Sequence, residues 1–215
     1  MPRPTEPRRP YDAVLCDIDG VLRRWPDADD IERAHGLPPG ALASTAFAPA
    51  RLDPATTGLV TDEQWRSAVA DDLAASCGSP ERARAAVSAW SALVPVVNDD
   101  VVALLTMARR TVPVALVSNA TTRLESDLRR HRLTDLADAV INSARVGVAK
   151  PDRRIYLVAA QRVGVPADRC LFVDDTAANV VAARELGMIA VHYRGIDDLR
   201  AALVPAGSTG DRDGL

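Results

Sequence analysis

Short apolar runs alternate with stretches of helical period along most of this chain, and this alternation restricts the possible folds more than any other feature. Five runs rich in β-branched or apolar residues are DAVLCD at 12–17, VPVALVS at 112–118, DAVINS at 138–143, CLFVD at 170–174 and IAVHY at 189–193. Helical patterns cover 99–110, 121–132, 152–163, 176–186 and 196–203. Such alternation is typical of an α/β protein, and continuous apolar runs are typical of strands buried on both faces. The sequence therefore predicts a parallel sheet with helices on both faces.

One long interval interrupts the alternation. From about residue 23 to 95 there is no strand pattern, and helical patterns occur at 62–76 and 80–90 instead. Thr61 is the expected N-cap of the first, with Gln64 at the capping-box position, and Ser79 with Pro80 opens the second. We therefore predict an all-helical insertion after the first strand.

The interruption divides the chain into expected units. The predicted α/β core consists of residues 11–22 and 96–205, and the predicted insertion consists of residues 23–95. We expect disorder in the Pro-rich start, 1–10, and in the tail, 206–215. All three tryptophans, Trp25, Trp65 and Trp90, fall in or at the edge of the insertion. Trp65 and Trp90 are interpreted as its own small core, whereas Trp25 lies nearer the first strand and is a candidate for another role.

Composition excludes several classes of protein. The net charge of −3 and the dispersed arginines argue against a nucleic-acid-binding protein. No apolar run approaches the ~18 residues of a membrane span, so no membrane association is expected. Three widely spaced cysteines indicate neither a disulfide framework nor a zinc site, which favours a reduced, cytoplasmic protein.

Acidic pairs follow two of the predicted strands. Asp17 and Asp19 follow the first strand with Gly20 behind them, and Asp174 and Asp175 follow the fourth. Ligands of open α/β sheets bind at the carboxyl ends of the strands, and a hard cation such as Mg²⁺ would neutralise carboxylates gathered there. Each pair alone could be an acidic turn or a helix cap, but two acidic strand ends in one crevice favour a metal site.

Two further positions belong to the same predicted crevice. Ser118 and Asn119 end the second strand, and a helix from about Thr121 would make this an anion site, although an ordinary N-cap is the alternative. Lys150, before Pro151 and a predicted helix, is the only lysine among 26 basic residues. Drift in an arginine-rich chain would replace a surface lysine, so Lys150 is predicted to have a role that arginine cannot fill.

The chain contains four short motifs in the order D-x-D-G-V, S-N, K-P and D-D-x-x-x-N. Together they resemble the four motifs of the haloacid dehalogenase (HAD) superfamily, whose sheet is Rossmann-like. The resemblance covers about residues 11–203, and the insertion resembles that superfamily's C1-type helical cap. Two stretches are similar to one branch of that superfamily, which holds sugar-phosphate phosphatases and the N-terminal phosphatase domain of soluble epoxide hydrolases. These stretches are KPDRRIY at 150–156 and FVDDTAANVVAARELGM at 172–188.

The resemblance implies a Mg²⁺-dependent phosphatase acting on a small phosphorylated metabolite. Asp17 would be the nucleophile forming an aspartyl-phosphate, and Asp19 would protonate the leaving alcohol and then activate water. The metal site is expected from Asp17, the Asp19 backbone carbonyl and Asp175, with Asp174 direct or through water. The remaining motif residues, which would hold the phosphoryl group, are Ser118, Asn119 and Lys150.

Other functions remain open at this stage. A phosphomutase would use the same residues, and a non-catalytic binding or regulatory protein could retain the fold. The superfamily's dehalogenases lack an aspartate two residues after the nucleophile, so Asp19 favours phosphate esters. Candidates for contact with the leaving group are Arg23, Arg24, Trp25 and, more weakly, Arg51. The oligomeric state and the individual substrate do not follow from the sequence.

Overall fold

The computed structural model describes residues 9–203. Seven strands are present in this range: β1 Ala13–Cys16, β2 Arg23–Arg24, β3 Val96–Val97, β4 Val114–Ser118, β5 Ala139–Asn142, β6 Cys170–Asp174 and β7 Ile189–His192. Eleven α-helices accompany them: α1 Asp29–His35, α2 Ala41–Ala46, α3 Pro49–Thr56, α4 Asp62–Cys77, α5 Pro80–Ser91, α6 Asp99–Arg109, α7 Leu124–Arg130, α8 Ser143–Val146, α9 Arg153–Val163, α10 Ala177–Glu185 and α11 Ile196–Leu203. Short 3₁₀ turns lie at 134–136 and 167–169.

Five strands form one parallel sheet in the order β5-β4-β1-β6-β7. Alternate residues of β1 belong to two different apolar clusters, since Val14 and Cys16 pack with helices α6, α7 and α11, whereas Ala13 and Leu15 pack with α9 and α10. Helices therefore cover both faces, and the predicted Rossmann-like α/β fold is confirmed.

The second apolar region belongs to the insertion. Helices α1 to α5 enclose their own cluster of buried residues, which includes Leu42, Trp65, Val69 and Leu73. Hydrogen bonds from the Asp62 backbone N–H to Thr122 and from the Thr121 hydroxyl to Asp62 join this region to the α/β domain. We call α1 to α5 the helical insert.

The structure differs from the expected all-helical interval at one point. Arg23–Arg24 forms a two-residue strand that pairs antiparallel with Val96–Val97, so a short ribbon marks the entry and exit of the helical insert. Two arginines carry no strand pattern, and their partner lies over 70 residues away in the chain, so this pairing has no local signal in the sequence.

Two earlier predictions extend beyond the described residues, namely the α/β core to residue 205 and the disordered termini. The expected disordered termini lie there almost entirely, apart from Arg9 and Pro10, and Arg169 donates hydrogen bonds to the carbonyl oxygens of both. Within the described range, no helix combines the length and the apolar character needed to cross a membrane.

Candidate active site at the carboxyl ends of β1, β4 and β6

The strand order brings the predicted motifs together. Strand β1 lies between β4 and β6, so Asp17, Ser118 and Asp174 end adjacent strands at the same edge of the sheet. The Asp17 N–H continues the ladder by donating to the Val173 carbonyl at 2.9 Å. Asp17, Ser118 and Asp174 are all buried, and Asp174 is fully so.

Lys150 lies at the centre of this group. Its ammonium Nζ contacts Asp17 Oδ1 at 2.7 Å and donates to Asp174 Oδ2 at 2.6 Å and to the Val117 carbonyl at 2.9 Å. The three acceptors match the three N–H donors of a lysine. Asn119 fixes the lysine backbone, since its Oδ1 accepts from the Lys150 N–H at 2.7 Å and its Nδ2 donates to the Lys150 carbonyl at 2.8 Å.

The burial of these charges alters their protonation equilibria. Burial and the nearby charge of Asp174 raise the pKa of Asp17 to about 7, although Lys150 and the Ile18 N–H act in the opposite direction. Burial alone would lower the pKa of Lys150, but the two carboxylates outweigh it and raise that pKa above its ordinary value. The cluster therefore holds a persistent positive charge between two buried acids.

Three carboxylates are arranged in a way that suits a divalent cation. One oxygen from each of Asp17, Asp174 and Asp175 lies within 4.8 Å of the other two. With Lys150 included, the group carries a formal charge of −2. Gly20, at φ 94°, leaves room for Asp175, because a Cβ at this position would lie 1.9 Å from Asp175 Oδ2. A hard ion with oxygen ligands fits this donor set.

The Asp19 carboxylate is not part of that three-carboxylate group. Its Oδ1 accepts hydrogen bonds from Arg23 Nε at 2.8 Å and Trp25 Nε1 at 2.7 Å, and its Oδ2 accepts from Arg23 Nη2 at 3.3 Å. The Arg23 guanidinium also lies over the Trp25 ring, 5.0 Å from its centroid. Two residues predicted to contact a leaving group thus bind Asp19 directly.

The loop after β4 corrects one prediction. Helix α7 begins at Leu124 rather than near Thr121, so Ser118 and Asn119 are not at a helix N-terminus. The intervening residues make tertiary contacts instead: the Ala120 N–H donates to Ser143 Oγ, and the Thr121 carbonyl accepts from Asn142. A phosphoryl group held here would be bound by the loop itself, without a helix dipole.

The other two candidate specificity residues are placed differently. Arg24 is exposed on β2, and Arg51 forms a two-bond ion pair with Asp72 at 2.6 and 2.7 Å on the helical insert. Neither lines the cavity of about 550 Å³ that opens between the insert and the loop after β4. Sequence reasoning missed residues that do line it, among them Phe47, Arg66 and Arg123. Asn179 is the asparagine of the D-D-x-x-x-N motif, and its Nδ2 donates to Asp174 Oδ1 at 3.0 Å.

Known proteins resemble this chain along most of its length. The chain is 32% identical over 190 residues to Phosphatase MT3486 of Mycobacterium tuberculosis, a match that covers 82% of this chain and 84% of that protein. A shorter match of 90 residues, also 32% identical, links 41% of the chain to 40% of (S)-2-haloacid dehalogenase H-109 of Pseudomonas putida.

Solved structures give the same fold. The HAD family enzyme bt-2542 of Bacteroides thetaiotaomicron, in complex with magnesium and inorganic phosphate, superposes with a TM-score of 0.66 at 20% identity, covering 84% of this chain and 92% of that one. A family model of hydrolases, described as haloacid dehalogenase-like hydrolase, matches residues 11–187. The chain therefore belongs to the haloacid dehalogenase-like hydrolase family.

Proposed function

We propose that the protein is a Mg²⁺-dependent phosphatase that hydrolyses a small phosphorylated metabolite through an aspartyl-phosphate on Asp17. The observation that carries the proposal is the buried Lys150 between Asp17 and Asp174, with Asp175 beside them. The phosphatase name of the Mycobacterium relative and the magnesium and phosphate bound by the Bacteroides enzyme support the same activity.

The contacts of Asp17 suggest how it attacks phosphorus. Its Oδ1 accepts from the Ile18 N–H at 2.8 Å and contacts Lys150, and neither contact uses Oδ2. We assign Oδ2 as the atom that bonds to phosphorus while the phosphorus–alcohol bond breaks. Ser118 and the Asn119 backbone would hold the phosphoryl oxygens, and the Lys150 ammonium beside them would neutralise the charge that develops there.

Asp19 is assigned the proton transfers. It would protonate the leaving alcohol oxygen, and in the second half of the reaction take a proton from the water that releases inorganic phosphate and regenerates Asp17. Arg23 and Trp25 would position its carboxylate. Dehalogenation needs no such acid, which is why we favour phosphate esters although dehalogenases are among the relatives.

The metal would be held by Asp17, Asp175 and the Asp19 backbone carbonyl, with Asp174 direct or through water. When bound, Mg²⁺ would supply positive charge to the nonbridging phosphoryl oxygens. The helical insert, within the predicted boundaries 23–95, would act as the cap over this site.

The test is release of inorganic phosphate from a panel of phosphate monoesters, with Mg²⁺ or with EDTA. We expect Mg²⁺-dependent release that falls to background in Asp17→Asn. Formation of an isomeric phosphate ester without phosphate release would establish a phosphomutase instead. Halide release from 2-chloropropionate with no ester hydrolysis would make the protein a dehalogenase, and no turnover of any of these substrates would favour a binding protein.

A further inference from the structure

The cavity above the candidate active site has walls from two parts of the molecule. Asp19, Asn119 and Thr121 contribute from the α/β domain, and helices of the insert contribute the opposite wall. Asp19 lies two residues after Asp17, and Asn119 directly follows Ser118, so the cavity begins where a leaving group would emerge. Its volume of about 550 Å³ falls in the usual range of small-molecule sites.

Aromatic side chains are concentrated in this cavity. The protein has three tryptophans and two phenylalanines, and all three tryptophans together with Phe47 line it. The Trp90 ring lies 5.8 Å from that of Trp65 and 5.9 Å from that of Phe47. Trp25 and Phe47 remain 41% and 53% exposed, which leaves large apolar surfaces for a ligand to cover.

Several polar side chains of the same walls are paired with other protein groups. Arg66 Nε lies 2.7 Å from Asp62 Oδ2, and Arg123 pairs with Asp127 at 3.1 Å. Glu32 accepts hydrogen bonds from the Gly40 and Leu42 N–H groups. At these paired atoms a sugar hydroxyl would have to compete with a protein partner, whereas an apolar ligand would leave the pairs intact.

The charge of the lining disfavours acidic leaving groups. Three arginines line the cavity against six acids, which are Asp19, Asp27, Asp29, Glu32, Asp62 and Asp127. The formal charge of these walls is −3 with every acid ionised and stays negative when Asp19 carries a proton, which disfavours a leaving group that carries a second phosphate or a carboxylate.

We propose that the substrate is a phosphate monoester of an uncharged, apolar alcohol, whose aromatic or aliphatic body lies against Phe47, Trp65 and Trp90. This inference rests on the proposed phosphatase function and specifies its substrate class. Sugar phosphates, which the sequence resemblance suggested, are then poor substrates.

The experiment compares kcat/KM for 2-phenylethyl phosphate, n-octyl phosphate, ethyl phosphate and glucose 6-phosphate. All four are esters of primary alcohols, so the leaving-group chemistry is matched. We expect the two apolar esters to exceed both others by about tenfold or more. Preference for glucose 6-phosphate would overturn the inference while leaving the phosphatase function standing. Absence of phosphate release from every ester would overturn the phosphatase function and this inference with it.

A pair of variants locates the preference in the cavity. Phe47→Ala should lower the ratio of kcat/KM for 2-phenylethyl phosphate over ethyl phosphate by about tenfold, because an apolar wall is lost. Leu59→Ala is the matched control, since Leu59 is 80% exposed on the helical insert and does not line the cavity. An equal ratio in the Phe47→Ala and wild-type proteins would overturn the inference.

Binding can be followed without turnover. All three tryptophans line the cavity, so tryptophan fluorescence of the Asp17→Asn protein reports on its occupancy. Benzylphosphonate should change the emission at concentrations at least about tenfold below those needed for methylphosphonate. Equal responses to the two phosphonates would contradict an apolar subsite.

Discussion

Lys150 is the only lysine among 26 basic residues, and the structure gives a physical reason for its retention. Its ammonium has three donors and three oxygen neighbours, which are Asp17 Oδ1, Asp174 Oδ2 and the Val117 carbonyl. A guanidinium is planar and wider, so it cannot direct its donors at three acceptors around one nitrogen in a site this buried.

The first prediction is that Lys150→Arg lowers turnover by ~10²–10³, the cost typical of losing one charged contact to the transition state. Circular dichroism should still report a folded protein. The control is Arg162→Lys, an exposed position, which should keep wild-type kinetics. Near-normal turnover by the Lys150→Arg protein would remove the lysine from the proposed mechanism.

Gly20 offers a second test at the residue scale. Gly20→Ala would place a methyl group on Asp175 Oδ2, so we expect Mg²⁺ affinity, measured by calorimetric titration, to fall by ~10–100-fold. Gly164→Ala is a matched control, because Gly164 has φ 72° and nothing within 4 Å of its added Cβ. Equal Mg²⁺ affinities in the two variants would contradict the role of Gly20 in leaving room for Asp175.

Single-residue prediction succeeded where a strand end defines the position. Asp17 and Asp174 directly follow or end buried strands, so their meeting at one sheet edge follows from the alternation of elements. Arg51 was only a weak candidate, and its partner Asp72 lies 21 residues away in the chain. Nothing in the local sequence indicates that Arg23 and Trp25 would bind Asp19 instead of a ligand.

At the scale of elements, helix boundaries were predicted best where caps are local. Helix α4 begins at Asp62 after Thr61, and Thr61 and Gln64 form the expected capping box. Helix α7 starts three residues later than predicted, because Thr121 bonds to Asp62 of the helical insert and to Asn142. Those partners are distant in sequence, so the local helical pattern does not show that the helix begins later.

The capping box gives the element-scale prediction. Thr61→Ala removes the oxygen that accepts from the Gln64 N–H at 3.3 Å, and should lower the free energy of unfolding by ~1 kcal/mol. For a protein of this size the melting temperature should fall by ~2–4 °C in a calorimetric scan. Thr61→Ser keeps the hydroxyl and should melt close to wild type. An identical loss in both variants would contradict the capping role.

At the scale of the whole molecule, binding of Mg²⁺ should stabilise the fold. A Mg²⁺ concentration of about 100 times the dissociation constant adds ~2.7 kcal/mol to the free energy of unfolding. The melting temperature should therefore rise when Mg²⁺ is added and fall back to its initial value when EDTA removes the ion. Asp175 is exposed, so Asp175→Asn should fold normally and lose the rise. The same rise in that variant would put the ion at another site.

The joint cavity is the feature least accessible from sequence. Trp65 and Trp90 were predicted to form a small core within the insertion, and they do pack in its apolar cluster. The same two rings also line the space over Asp19 and Asn119. These rings belong both to the core of the insert and to the cavity wall because the helical insert docks on the loop after β4. The periodicity of the sequence carries no information about that docking.

In the proposed mechanism Asp17 carries the phosphoryl group during Mg²⁺-dependent hydrolysis. The most direct measurement is mass spectrometry of the protein digested after acid quench during turnover of a phosphate ester, with phosphate release followed in parallel. We expect one added phosphoryl group on the wild-type peptide that contains Asp17. The Asp17→Asn protein should show neither that added group nor phosphate release. Phosphate release at the wild-type rate by Asp17→Asn, or a phosphoryl group on another residue, would contradict it.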